Sequence, residues 1–144
     1  MEGIEMSEQE LKFGYVTYEE VVPITSEFAK NLLQGKIVGN KCSKCGQVYL
    51  PPRSGCSKCL SRDLVPYEIE SPEATLRAFT VIHFAPESFS DKAPYIVAIG
   101  EFADGTGVLA HLTGITSMPQ VGMKIKLVAQ EIDKGRVVYK FVKA

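Results

Sequence analysis

The chain has 144 residues, too few for a large catalytic architecture such as a TIM barrel, so any site it carries is small or shared with a partner. Hydrophobic residues make up 45% and charged residues 23%, the composition of a chain that folds and not of one that stays disordered. The formal net charge of −1 hides an asymmetry: residues 1–35 hold seven Glu against Lys12 and Lys30, residues 36–62 hold Lys36, Lys41, Lys44, Arg53, Lys58 and Arg62 with no acid, and the remainder sums to −2.

The opening Met1-Glu2-Gly3-Ile4-Glu5 is acidic where a secretory leader is basic, and no apolar run approaches the roughly 18 residues that cross a bilayer. A soluble, cytoplasmic protein without a membrane partner is expected. Ser7-Glu8-Gln9-Glu10 has the spacing of a capping box and predicts a short helix, stopped by Gly14 and the β-branched residues after it. A second helix is predicted from Thr25 or Ser26 as its cap, with Phe28, Leu32 and Leu33 on one face and Gly35 as its left-handed end.

After the cysteine-containing segment, from Pro66 onward, the pattern changes to strands. Ala74 to Phe84, Tyr95 to Phe102, Gly107 to Leu112, Met123 to Ile132 and Val137 to Val142 are β-branched or aromatic runs between turn residues. Asp104-Gly105 and Lys134-Gly135 tolerate the positive φ of tight hairpins. Five such strands are too few for an immunoglobulin sandwich and suit a small barrel, an OB-fold first and an SH3-like barrel second. The expected division is a helical segment over 1–36, a metal ribbon over 37–66 and a barrel over 67–144.

Cys42-Ser43-Lys44-Cys45 and Cys56-Ser57-Lys58-Cys59 are two CxxC pairs, and they use every cysteine of the chain. Each pair can wrap a turn about a metal so that two sulfurs and several amides converge, and two turns complete a tetrahedron. One CxxC alone would equally suit a redox dithiol; two matched pairs point to one zinc, with iron as the other metal that four thiolates accept. Disulfides and unligated core thiols are the bland alternatives, the first disfavoured inside a cell and the second needing no paired spacing. Four thiolates leave no open coordination position, so the expected metal is structural and not hydrolytic.

Phe28 to Lys36, then Cys42-x-x-Cys45-Gly46, Leu50-Pro51-Pro52-Arg53 and Cys56-x-x-Cys59, follow an order that resembles the family catalogued as domain of unknown function thirty-five. The resemblance spans about residues 24–144 and includes Pro94 to Ala98 and Val121 to Ile125. It implies a mainly β fold: an N-terminal helical segment, a rubredoxin-like zinc ribbon and a C-terminal five-stranded OB-fold barrel. One departure is Ser71-Pro72-Glu73-Ala74-Thr75-Leu76, where that family usually enters its barrel through Gly-x-Gly. The resemblance also implies an accessory scaffold role beside thiolases in acyl-CoA metabolism, bridging in archaea to a hydroxymethylglutaryl-CoA synthase, with CoA as ligand.

Independent catalysis is not expected, because the metal takes every cysteine and neither His83 nor His111 lies in a nucleophile motif. Gly105-Thr106-Gly107 reads as a hairpin turn and not as a phosphate cradle. The basic segment admits a solvated face, a site for the phosphates of CoA, or a nucleic-acid surface. Lys41, Lys44, Arg53 and Arg62 are the candidate CoA-binding residues. A zinc site with four thiolates carries a formal −2, which reduces the local excess from +6 to about +4. A single-stranded nucleic-acid-binding protein is the alternative, with Phe79, Phe84, Phe89, Tyr95 and Phe102 as the available aromatics; Phe79, Tyr95 and Phe102 are expected in the core.

Overall fold

The computed structural model describes residues 11–18, 23–133 and 135–144, so the capping box at Ser7 to Glu10 lies outside the described residues. Two compact units share the chain: one comprises residues up to Glu70 with Ala129–Tyr139, the other Ser71–Val128 with Lys140–Ala144.

In the first unit the chain turns at Gly14, at φ +60°, between strands β1 (Leu11–Phe13) and β2 (Val16–Tyr18). Phe13 pairs in parallel with Val137, and Arg136 donates a 3.2 Å hydrogen bond to the Gly14 carbonyl. Helix α1 (Pro23–Leu33) starts earlier than the predicted cap, because proline suits the first helical position, where its missing N–H is no loss. Its end is as expected: Gly35 is left-handed at φ +79°, its amide donates to the Leu32 carbonyl and that of Lys36 to the Asn31 carbonyl, a Schellman closure. Phe28, Ala29 and Leu32 are buried, whereas Leu33, expected on the same face, is 44% exposed. The Phe28 ring lies 5.6 Å from Phe13 and 5.8 Å from Tyr139, so the helix and both ends of this unit share one aromatic core.

The same unit contains the ribbon, a three-stranded sheet in the order β4–β3–β5 built from β3 (Val38–Cys42), β4 (Val48–Tyr49) and β5 (Leu64–Glu68). A side chain at Gly39 would run into the Tyr49 carbonyl, so a glycine is what lets these strands close.

The five predicted strands are all present, each end within two residues of its expectation: β6 (Glu73–Ile82), β7 (Tyr95–Glu101) and β8 (Gly107–Thr113) lie in the second unit, and β9 (Lys124–Asp133) and β10 (Arg136–Lys143) are divided between the two. They run in the order β10–β8–β7–β6–β9, and a further β9–β10 pairing closes the barrel. The β8–β10 pair is parallel, which a simple meander cannot make and a Greek-key OB barrel can. At Ser71-Pro72, Leu127 donates to the Pro72 carbonyl, and a bulge between Leu76 and Ala78 bends β6. The β7–β8 hairpin turns at Gly105, φ +90°, where the Thr106 amide donates to Asp104.

Inside the barrel, Leu76, Ala98, Val108, Leu112, Ile125, Leu127 and Phe141 are buried, and Gly100 leaves the space that the Phe141 ring occupies. On the outside the register aligns Ala78, Thr80 and Ile82 of β6 with Ile99, Val97 and Tyr95 of β7, and Ile99 and Val97 with Leu109 and His111 of β8. This outer face carries no lysine, arginine or carboxylate at those positions. Ile99 and Leu109 are 41% and 60% exposed. Tyr95, expected in the core, stands on this face beside His111, 5.0 Å between ring centroids, and Phe89 covers both rings.

Candidate metal centre and the basic ribbon

Each knuckle of the ribbon is a turn made by its own backbone. The Gly46 amide donates to the Cys42 carbonyl over 2.9 Å with Gly46 at φ +80°, and the Leu60 amide donates to the Cys56 carbonyl over 3.0 Å with Leu60 at φ +65°. The two turns bring four sulfurs within 4.8 Å of one another. Two close separations cross between the knuckles, Cys42 to Cys59 and Cys45 to Cys56, each 3.5 Å. A tetrahedron with metal–sulfur bonds of about 2.3 Å has edges of roughly 3.8 Å, inside the observed range, so the donor set fits one four-thiolate metal ion.

Hydrogen bonds bias two of these sulfurs, those of Cys56 and Cys42, toward the anionic form that binds metal. The Tyr49 hydroxyl lies 3.3 Å from Cys56 Sγ, and it is the chief reason the Cys56 thiol is lowered to about 6, helped by the Cys59 amide. Cys42 is lowered mainly by the Cys45 amide. Cys59 moves the other way: the Ser61 amide favours its thiolate, but burial and the sulfurs of Cys42, Cys56 and Cys45 outweigh it and push the thiol up to about 12. Four adjacent thiolates repel, and a divalent cation is the charge that lets all of them ionise together.

Sequence reasoning missed Tyr49 and Asn40. Buried Tyr49 accepts a 2.9 Å hydrogen bond from the Ser57 amide and lies beneath the Arg53 guanidinium, 5.1 Å from the ring centroid. Asn40, also buried, grips the Arg53 backbone on both sides: its Nδ2 donates to the Arg53 carbonyl, and its Oδ1 accepts from the Arg53 amide at 3.2 Å. The tyrosine just before Leu50-Pro51-Pro52-Arg53 was the available signal, since a rigid proline pair fixes what flanks it.

Lys41, Lys44, Arg53 and Arg62 are all exposed on the ribbon. Lys41 Nζ sits 5.5 Å from the Tyr67 ring centroid. Lys44 lies 3.9 Å from Asp63, a solvent-exposed pair worth little in water. In the barrel unit, a cleft of about 560 Å³ is lined by Ser71, Glu73, Thr75, Arg77, Glu101 and Lys124. Arg77 pairs with Glu101, and Lys124 donates to Thr75 over 3.1 Å, so its cations are engaged within the protein. Among the described residues, no helix is long and apolar enough to cross a membrane.

Residues 30–65 match the family model described as the ChsH2 rubredoxin-like zinc ribbon domain, and residues 70–130 match that of the ChsH2 C-terminal OB-fold domain. Curated relatives named DUF35 domain-containing scaffold proteins include one from Methanocaldococcus jannaschii, 29% identical over 72% of this chain and 77% of the relative. Another, from Methanothermobacter thermautotrophicus, is 29% identical over 73% of this chain and 83% of its own. The solved Ltp2-ChsH2(DUF35) aldolase is similar in fold, with a TM-score of 0.71 and 24% identity, covering 85% of this chain and 96% of that one. A crystal structure of a DUF35-family protein of unknown function from Sulfolobus solfataricus gives a TM-score of 0.58 and 30% identity over 84% of this chain and 88% of that one. Ribbon and barrel follow each other here in the order those two models have, and the chain belongs to the DUF35 family.

Proposed function

We propose that this chain is a non-catalytic scaffold subunit that binds acyl-CoA through its ribbon and assists a thiolase-type acyl-CoA enzyme, or bridges it to a hydroxymethylglutaryl-CoA synthase. The observation that carries the proposal is the ribbon's charge: six cations and no acid over residues 36–62. Lys41, Lys44, Arg53 and Arg62 would meet the phosphates of the ligand, and the clamped, stacked Arg53 is the most preorganised of them. Two further supports are the scaffold relatives and the uncharged stretch of outer face at Ala78, Thr80, Ile82, Val97, Ile99 and Leu109, against which a partner's charge would lie unpaired and an apolar protein surface would not.

In this reading Cys42, Cys45, Cys56 and Cys59 hold one zinc, and the division into 1–36, 37–66 and 67–144 separates helical, ribbon and barrel parts. Bound zinc would supply a cross-link and no open coordination position. The protein's own groups do the rest: Tyr49 and the knuckle amides orient the sulfurs, and Gly39 lets the strands close over them.

Titration decides between acyl-CoA and single-stranded nucleic acid. Acyl-CoA binding should saturate with one small ligand and show a shallow salt slope, whereas an oligonucleotide site would tighten with length and weaken steeply with salt. Native purification followed by mass spectrometry should find a thiolase-type enzyme. Tight, salt-sensitive oligonucleotide binding with neither acyl-CoA nor such an enzyme captured would replace this reading with the nucleic-acid one.

A further inference from the structure

The two knuckles are built to one plan with one difference. Each CxxC is followed by a left-handed residue whose amide returns to the first cysteine's carbonyl; that residue is Gly46 in the first knuckle and Leu60 in the second. Glycine takes this conformation freely, while leucine meets its own Cβ against the backbone. The backbone turn would be made as well by glycine, and the leucine side chain adds no burial within the chain for that strain, being 84% exposed. A strained residue that also exposes an isobutyl group to water is disfavoured twice over by the isolated protein.

The surroundings of Leu60 define what would use it. Exposed Lys58 and Arg62 stand two residues to either side, and no acid occurs between Lys36 and Arg62. We propose that Leu60 is a docking knob, flanked by these cations, for an apolar pocket rimmed with carboxylates on the enzyme partner. The inference rests on the scaffold reading above. Apolar contact at the centre with charge at the rim is the arrangement in which one buried side chain carries affinity and the rim sets approach and orientation. The left-handed backbone is then what lifts the side chain off the ribbon.

The test uses the full zinc-loaded chain and the thiolase-type enzyme that mass spectrometry identifies in the native complex. Leu60→Gly relieves the strain, so zinc competition against a chelator should show about fivefold tighter retention, because metal binding and ribbon folding are coupled. The same variant should bind the enzyme at least tenfold more weakly. Leu60→Asn, which tolerates the left-handed backbone but is polar, should lose enzyme binding as well, while Leu60→Met should keep it within about twofold. Acyl-CoA affinity should not change in any of the three. Enzyme binding unchanged in both Leu60→Gly and Leu60→Asn would overturn the knob and leave the scaffold reading standing. Failure to find any thiolase-type enzyme would overturn both. Leu60-dependent binding to phosphatidylserine vesicles without enzyme binding would assign the same residues to a membrane surface instead.

Discussion

Replacing Gly100 by alanine should destabilise the barrel while leaving the ribbon's metal site intact. A Cβ built at Gly100 falls 2.5 Å from Phe141 Cζ, 2.8 Å from its Cε1 and 3.2 Å from Ile125 Cδ1. Carbon atoms pack at about 3.5–4.0 Å, so the phenyl ring must retreat by on the order of 1 Å. It has nowhere to go, because Phe141 and Ile125 are both 0% exposed in a closed barrel. Overpacking of this kind costs about 1–3 kcal/mol, a fall in melting temperature of about 3–9 °C for a chain of this length. Urea unfolding followed by circular dichroism should show a lower midpoint at unchanged slope. Adding Phe141→Leu removes the clashing ring atoms, so the double variant should lose at least about 1 kcal/mol less than the sum of the two single losses. A parental midpoint for Gly100→Ala, or strict additivity in the cycle, would refute the packing described for this position.

Elemental analysis should find about one zinc per chain, and visible ferric-thiolate absorption would assign iron instead. Cys42→Ser or Cys59→Ser should release the metal and unfold the ribbon while the barrel's β signal in circular dichroism persists, because the barrel has its own buried core. Tyr49→Phe deletes the hydroxyl beside Cys56 and should speed zinc transfer to a chelator about ten- to a hundredfold; an unchanged rate would show that the hydroxyl does not support the thiolate. Burial lowers the His111 pKa, so below the unfolded value of about 6.5 the unfolded chain binds more protons and stability falls as pH drops. His111→Gln should flatten that fall, and an identical pH profile would exclude His111 as its source.

The cysteine pairs were legible because metal geometry dictates their spacing, and the barrel strands because alternation with glycine turns is a local signal. What stayed hidden depends on distant partners. Leu11–Phe13 is a strand that pairs with Val137, more than a hundred residues away, which nothing near Gly14 announces. Pro66 reads as a boundary, yet it lies inside β5 opposite Asn40. Leu33 falls on the predicted apolar face of α1 and is nonetheless exposed, because helical periodicity cannot say how wide the covered stripe is. In the site, the sulfurs followed from spacing, whereas Tyr49 and Asn40 emerged only when β3 and β4 were brought together.

The discontinuity of the two units along the chain limits how this protein can be cut or recombined. The unit that carries the cysteines ends at Glu70 and resumes at Ala129–Tyr139, and the other resumes at Lys140. A gene fragment stopping at Glu70 would encode both knuckles but would strip Tyr139 from the rings of Phe13 and Phe28, and Val137 from its pairing with Phe13. The cysteine-carrying unit as a whole is thus not a cassette that recombination could move as one continuous stretch. A protease nick after Glu70 would leave the amino-terminal piece held by a strand that belongs, in the chain, to the far end.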